Sequence, residues 1–254
     1  MEQKKNAQGK KIFLLRPHSV IRDEMLDLLI MAGFETYTVL DEKKAQKLLT
    51  KFPDSIMFVN IDEGLKENEW EKYILGIQMD PRTKESRLGI MSYNQDKQLM
   101  QKYLMKMSVP CGYIQLKLGL QESTKIILSA LEANEARGRR KCIRATCEDD
   151  LSATVNIKLD SKVIRGKILD ISSSGIAARF ERSLELPKNS LIRNVQLKLR
   201  SGFVMTDMLL MGQRHDDSLA YILLFGSVLS PESTLAIHHY IKQCLQKHIN
   251  ELKI

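Results

Sequence analysis

The chain has 254 residues, a hydrophobic fraction of 43% and an aromatic fraction of 6%, which exclude both an intrinsically disordered chain and one wholly embedded in a bilayer. That length exceeds the roughly 150 residues of one compact domain, so two domains, 1–135 and 136–254, are expected. The formal charge of +8 is unevenly placed: residues 1–135 carry 20 Lys and Arg against 19 Asp and Glu, and residues 136–254 carry 19 against 12, so an anionic partner is sought in the second half.

Met1 to Lys11 is polar and lysine-rich, with no apolar run of signal-peptide length behind it. No stretch approaches the roughly 20 apolar residues of a membrane span, and a cytoplasmic protein is expected. Lys11 to Leu15 reads as a first strand. Ile21, Met25, Leu28, Leu29 and Ala32 then form one helical stripe, closed by Gly33 as C-cap. Phe34 to Leu40 is a second strand, and Asp41 is placed to N-cap a helix carrying Ala45, Leu48 and Leu49. Ser55 to Ile61 is a continuous apolar run of the kind found in central parallel strands. Strands at Arg87–Ser92 and Gly112–Leu116, and a helix from Leu120 to Glu135, complete five β/α units, which predicts a doubly wound parallel sheet.

This pattern resembles the receiver domain of bacterial response regulators, but the chemistry does not follow. The resemblance implies an acidic pair after the first strand and a phosphate-accepting Asp at the end of the third. Here Arg16, Pro17 and His18 occupy the first place and Asn60 the second. An amide cannot form an acyl phosphate, and Arg and Pro supply no carboxylate oxygen for a hard cation. Asp62 lies two residues on as a substitute without its acidic partners. A degenerate receiver serving packing or partner docking is expected.

Beyond Arg137-Gly138 the pattern changes to alternation. Ala153, Val155, Ile157 and Leu159 are apolar at period two, as is much of Val163–Leu169, Ile176–Phe180 and Val195–Leu199. Turn signals at Asp160-Ser161, Pro187-Lys188-Asn189, Ser201-Gly202 and Asp216-Asp217-Ser218 separate the strands and predict an antiparallel barrel. A final helix begins at Ser230-Pro231, an N-cap followed by Pro at its first position, with Ile241, Leu245, Ile249 and Leu252 aligned. Of its His238, Cys244 and His248 only the last two stand at i, i+4, too few ligands for a site, and no metal or other cofactor is expected. The four cysteines, Cys111, Cys142, Cys147 and Cys244, form no CxxC pair and are expected as reduced thiols.

Two patterns stand out in this half. Arg137, Arg139, Arg140, Lys141 and Arg144 crowd one segment that contains RxxxR (Arg140 to Arg144), and Asp170-Ile171-Ser172-Ser173-Ser174-Gly175 is DxSxxG between two strands. In this order, with strand-like sequence between them and a closing helix after them, they resemble the PilZ family over roughly residues 137–250. The resemblance implies a six-stranded antiparallel β-barrel with a C-terminal helix. It also implies a c-di-GMP receptor, not an enzyme, involved in motility, surface attachment and biofilm formation. The implied ligand-binding residues are Arg139, Arg140, Arg144, Asp170, Ser172 and Gly175. Arginine forks suit phosphate oxygens and the O6/N7 edge of guanine. Asp170 would accept from guanine N1 and N2, and Ser172 would donate to phosphate. Gly175 would provide a positive φ or a close approach to the ligand. Arg139, directly before the motif, hints at a stacked ligand pair.

Ligand binding is expected to draw the arginine segment onto the Asp170–Ser172 turn, reorient the domains and signal to a downstream protein that the sequence does not name, any more than it names the oligomeric state. A nucleic-acid-binding protein is the alternative from another class, but the basic segment holds no aromatic residue for base stacking. A PilZ module acting only through protein contacts is the other alternative. No nucleophile elbow, P-loop or acid/base pair marks an enzyme.

Overall fold

The computed structural model describes residues 9–252 except Ser161, Ser201 and Ser227. It divides into two compact units: one runs to Lys141 and takes in the residues from Ile249 on, and the other is Cys142–His248. The division at 141/142 lies beyond the expected 135/136 because the first unit holds the intervening residues. Ala136 is buried in its core and accepts a hydrogen bond from Lys10 N, and the Arg137 guanidinium lies 4.7 Å over the Phe34 ring.

In the first unit the elements run β1 (Ile12–Leu15), α1 (Ser19–Met31), β2 (Thr36–Val39), α2 (Glu42–Lys51), β3 (Ile56–Asn60), α3 (Glu67–Met79), β4 (Arg87–Ser92), α4 (Lys97–Gln101), β5 (Tyr113–Gln115) and α5 (Leu120–Ala133). The strands pair in parallel in the order β2-β1-β3-β4-β5, the doubly wound sheet expected. Burial along β1 and β3 is complete, which is why the segment holding β3 reads as a continuous apolar run instead of an alternating one. Asp41 caps α2 by accepting Lys44 N at 2.6 Å, and Gly33, at φ 88, ends the α1 segment with its N–H on Ile30 O.

The second unit contains β6 (Arg144–Thr146), β7 (Thr154–Leu159), β8 (Lys162–Ser172), β9 (Gly175–Phe180), β10 (Leu191–Leu199), β11 (Gly202–Arg214), β12 (Asp217–Phe225) and, as far as His248, α6 (Pro231–Glu251). Antiparallel pairing in the order β8-β7-β10-β11-β12-β9 returns to β8, so six strands close into a barrel and leave no open edge in the ring. The seventh strand, β6, lies outside the ring on the C-terminal end of β8. Inside are Val155, Ile157, Ile164, Ile168, Ile171, Phe180, Val195, Leu197, Val204, Met208 and Leu223, all nearly or fully inaccessible. α6 starts as its sequence predicts: Ser230 Oγ accepts Ser233 N at 3.1 Å and Pro231 is the first helical residue.

Asp150, in the loop between β6 and β7, ties three parts of this unit together. One carboxylate oxygen accepts the Tyr240 hydroxyl from α6 at 2.9 Å and lies 3.0 Å from Arg200 Nε; the other accepts Ser152 N and Oγ. Burial by itself would raise this carboxyl, but the hydrogen bonds from Ser152 and Tyr240 and the charge of Arg200 hold it below its ordinary value. A carboxyl depressed on folding stabilises fully above its unfolded pKa, near 4, and loses that contribution as pH falls through the lower folded value. Asp150→Ala leaves the Tyr240 hydroxyl without its carboxylate and is predicted to cost about 1–3 kcal/mol in denaturant titrations at pH 7. The gap to wild type narrows at pH 3.

Candidate ligand-binding site

The placement of the two motifs depends on a change of parity within β8. Ile164, Gly166 and Ile168 face the barrel interior, and regular alternation would send Asp170 and Ser172 after them. The register with β9 steps by two residues on one side only, from Ile168 opposite Ala178 to Asp170 opposite Ala177, so Leu169 is an extra residue, a β-bulge. Past it Ile171 points inward, and Asp170 and Ser172 lie on the outer face. The carbonyl of Leu169 is used by β6, accepting Cys147 N at 2.8 Å.

β6 brings the second arginine of RxxxR to the same place. Its register sets Arg144 opposite Ser172, Ala145 opposite Ile171 and Thr146 opposite Asp170. Directly opposed residues share a face, so Ala145 is buried with Ile171 while Arg144, Thr146, Asp170 and Ser172 share the outer one. Arg144 is exposed, as are Arg139 and Arg140. Arg140 and Arg139 belong to the tail of the first unit. Among the described residues none of these three arginines makes an ion pair or side-chain hydrogen bond. Arg137, by contrast, is taken up by Phe34 and Glu132 within the first unit.

The turn itself differs from the expectation in two respects. Gly175 does not have a positive φ, and it is β12 that comes close: a Cβ there would lie 2.2 Å from Leu223 O and 2.8 Å from Leu224 Cα. Its glycine is therefore required by strand packing inside the barrel wall. Ser172 Oγ donates to Gly175 O at 3.2 Å, accepts Ser174 N at 3.3 Å and lies 3.0 Å from Ser174 Oγ, so in this structure the hydroxyl knits its own turn and is nearly buried.

Beside the motifs lies a cleft of about 370 Å³ that the sequence did not announce. Leu169, Ala177 and Ala220 form a small apolar cluster here, and Leu169 lines the cleft. Lys167, Arg179 and Arg214 line its sides with Glu148, Asp149, Asp216 and Asp217. Lys167 and Arg179 are directly opposed across β8 and β9, a like-charge pairing that costs stability unless relieved. Relief comes from Asp217, which takes Arg179, and from Glu148 O, which accepts Lys167 Nζ at 2.6 Å. Arg214 pairs with Asp216 at 3.0 Å, and its Nη1 lies 3.9 Å from the half-buried Asp170 carboxylate. Asp216 raises Arg214 above its ordinary value, and Asp170 adds to that. The usable signal in the sequence was a basic residue on each strand flanking the turn, but their shared face depends on the bulge.

In the first unit Asn60, fully buried, donates to Arg16 O at 2.8 Å and accepts Asp62 N, while the Asp62 carboxylate accepts Ser92 Oγ at 2.5 Å and Tyr93 N at 2.7 Å. Asn60 and Asp62 thus fasten the loops at the strand ends. Among the described residues no three metal-ligating side chains converge, and no helix is long and apolar enough to cross a membrane.

No family model and no curated protein matches this sequence. Among solved structures, the PilZ domain of YcgR from Escherichia coli with c-di-GMP matches at 20% identity over 44% of this chain and 95% of that one, TM-score 0.37. An inhibitor of motility from Bacillus subtilis matches at 18% identity over 46% of this chain, TM-score 0.35, and there the match spans 54% of the other chain's length. A chemotaxis response regulator of Vibrio cholerae matches at 15% identity over 50% of this chain and 99% of its own, TM-score 0.39.

Gly175→Ala is predicted to lower stability by about 1–3 kcal/mol, because the β12 backbone must move. Gly76→Ala, with open space around the added methyl group on α3, should gain up to about 1 kcal/mol. Denaturant midpoints of the two variants check both signs.

Proposed function

We propose that this protein is a c-di-GMP receptor whose ligand lies on the outer face of the barrel formed by β6, β8 and β9. The observation that carries the reading is the shared outward face of Arg144, Asp170 and Ser172, produced jointly by the Leu169 bulge and the β6 pairing. Arg144 offers a planar fork to a phosphate or to guanine O6 and N7. Asp170 accepts from guanine N1–H and N2–H, donors that adenine does not present in that arrangement. Leu169, Ala177 and Ala220 give a base an apolar surface to lie on. Arg140 and Arg139 join from the segment that precedes β6, and their capture changes the arrangement of the two units, which a cytoplasmic partner protein reads. Gly175 acts by allowing β12 to approach, and Ser172 by holding the turn.

Polynucleotide binding is disfavoured by the cleft, where Glu148, Asp149, Asp216 and Asp217 would repel a continuous phosphate backbone. A ligand with two phosphates needs only local positive charge.

Isothermal titration calorimetry with c-di-GMP tests the reading. Arg144→Ala and Asp170→Ala should each weaken binding by about 10- to 150-fold, the equivalent of one charge-assisted hydrogen bond of about 1.5–3 kcal/mol. Arg140→Ala should do the same, and c-di-AMP should bind far more weakly to wild type. Unchanged affinity in the Arg144 and Asp170 variants, or no binding to wild type, overturns the proposal.

A further inference from the structure

The barrel-facing side of α6 carries Ile237, Tyr240, Ile241 and Cys244 at i, i+3, i+4 and i+7. The Tyr240 hydroxyl reaches Asp150, three residues after Cys147, and Asp150 N donates to Cys147 O at 2.9 Å. Beside this anchor the thiols of Cys147 and Cys244 and the Tyr240 hydroxyl form one cluster of neighbouring groups. Cys147 is 1% exposed and Cys244 is half-buried, so solvent reaches the pair from the helix side. Cys111 lies in the first unit, and the pairing does not involve Cys142.

We propose that Cys147 and Cys244 form a redox site that a hydroperoxide converts to an intramolecular disulfide. The neighbouring Cys147 thiol pulls Cys244 down to about 7, with burial opposing, Tyr240 helping, and Arg200 countered by Asp150; the nearby Cys244 and burial push Cys147, whose Sγ donates to Ala145 O at 3.4 Å, up. Cys244 is therefore the attacking sulfur. Its thiolate attacks the peroxide, the O–O bond breaks, and Cys244 becomes a sulfenic acid while the departing alkoxide or hydroxide takes up a proton. Cys147 then attacks the sulfenic sulfur; the S–S bond forms, the S–O bond breaks, and water leaves with the Cys147 proton. In sum two thiols and one hydroperoxide give a disulfide, an alcohol or water, and one further water. The two electrons pass from the sulfurs to the peroxide oxygens. The new bond fastens the residue directly after β6, and so the strand that carries Arg144, to α6.

Treatment of the reduced full-length protein with hydrogen peroxide tests this. Free thiols counted after denaturation should fall from four to two and return to four with dithiothreitol, and peptide mapping should find Cys147 joined to Cys244. Cys147→Ser should instead hold Cys244 as a sulfenic acid that dimedone traps. A wild-type count that stays at four, or linkages that join other cysteines or two chains, overturns the proposal.

Discussion

The extra residue at Leu169 governs the barrel half of this protein. A strand lining a closed barrel has one inward and one outward set of side chains, and a shift of one position exchanges them completely. Before the bulge the even-numbered residues of β8 face inward; after it the odd-numbered ones do. Without it, Asp170 would enter a cavity filled by Ile157, Ile164 and Phe180, where an unpaired carboxylate is strongly disfavoured. The bulge therefore reconciles a filled core with a polar motif on the same strand, and its free carbonyl gives β6 an additional anchor through Cys147.

Charge on the outer face is arranged in two classes. Lys167, Arg179 and Arg214 are held by neighbouring acids and a carbonyl, so they shape the cleft as pre-oriented cations whose repulsion is already relieved. Arg144 is exposed and makes no ion pair among the described residues. An anion gains most from such an unpaired guanidinium, because no existing ion pair has to be broken. Asp150 serves a different purpose, binding α6 to the β6–β7 loop so that the strand bearing Arg144 has a fixed end.

Much of this was legible in the sequence. The parallel sheet followed from five β/α units with a continuous apolar run at Ser55–Ile61, the caps from Asp41 and Ser230, and the barrel from period-two alternation with regular turns. What escaped has a common physical origin, since it depends on tertiary pairing. β6 is three residues long and has no alternation of its own; it is a strand because β8 presents unpaired groups beside it. Val163–Leu169 was read as one alternating segment, yet Val163 is 59% exposed and Leu169 is the bulge that breaks the alternation. Gly175 was rightly seen to exclude a side chain, but the obstructing group is a backbone carbonyl of β12, forty-eight positions later in the sequence. Ser172 was read as a donor to phosphate, and in this structure its hydroxyl donates to Gly175 O within the turn.

The central claim, that the ligand face is the outer surface of β6, β8 and β9, is tested most directly by titrating nitrogen-15-labelled full-length protein with c-di-GMP and following the backbone amides. Shifts concentrated at residues 144–146, 169–172 and 175–179, with β10 and β11 amides between residues 195 and 206 unmoved, are the predicted result. Shifts confined to β10 and β11, or to the first unit, would contradict it.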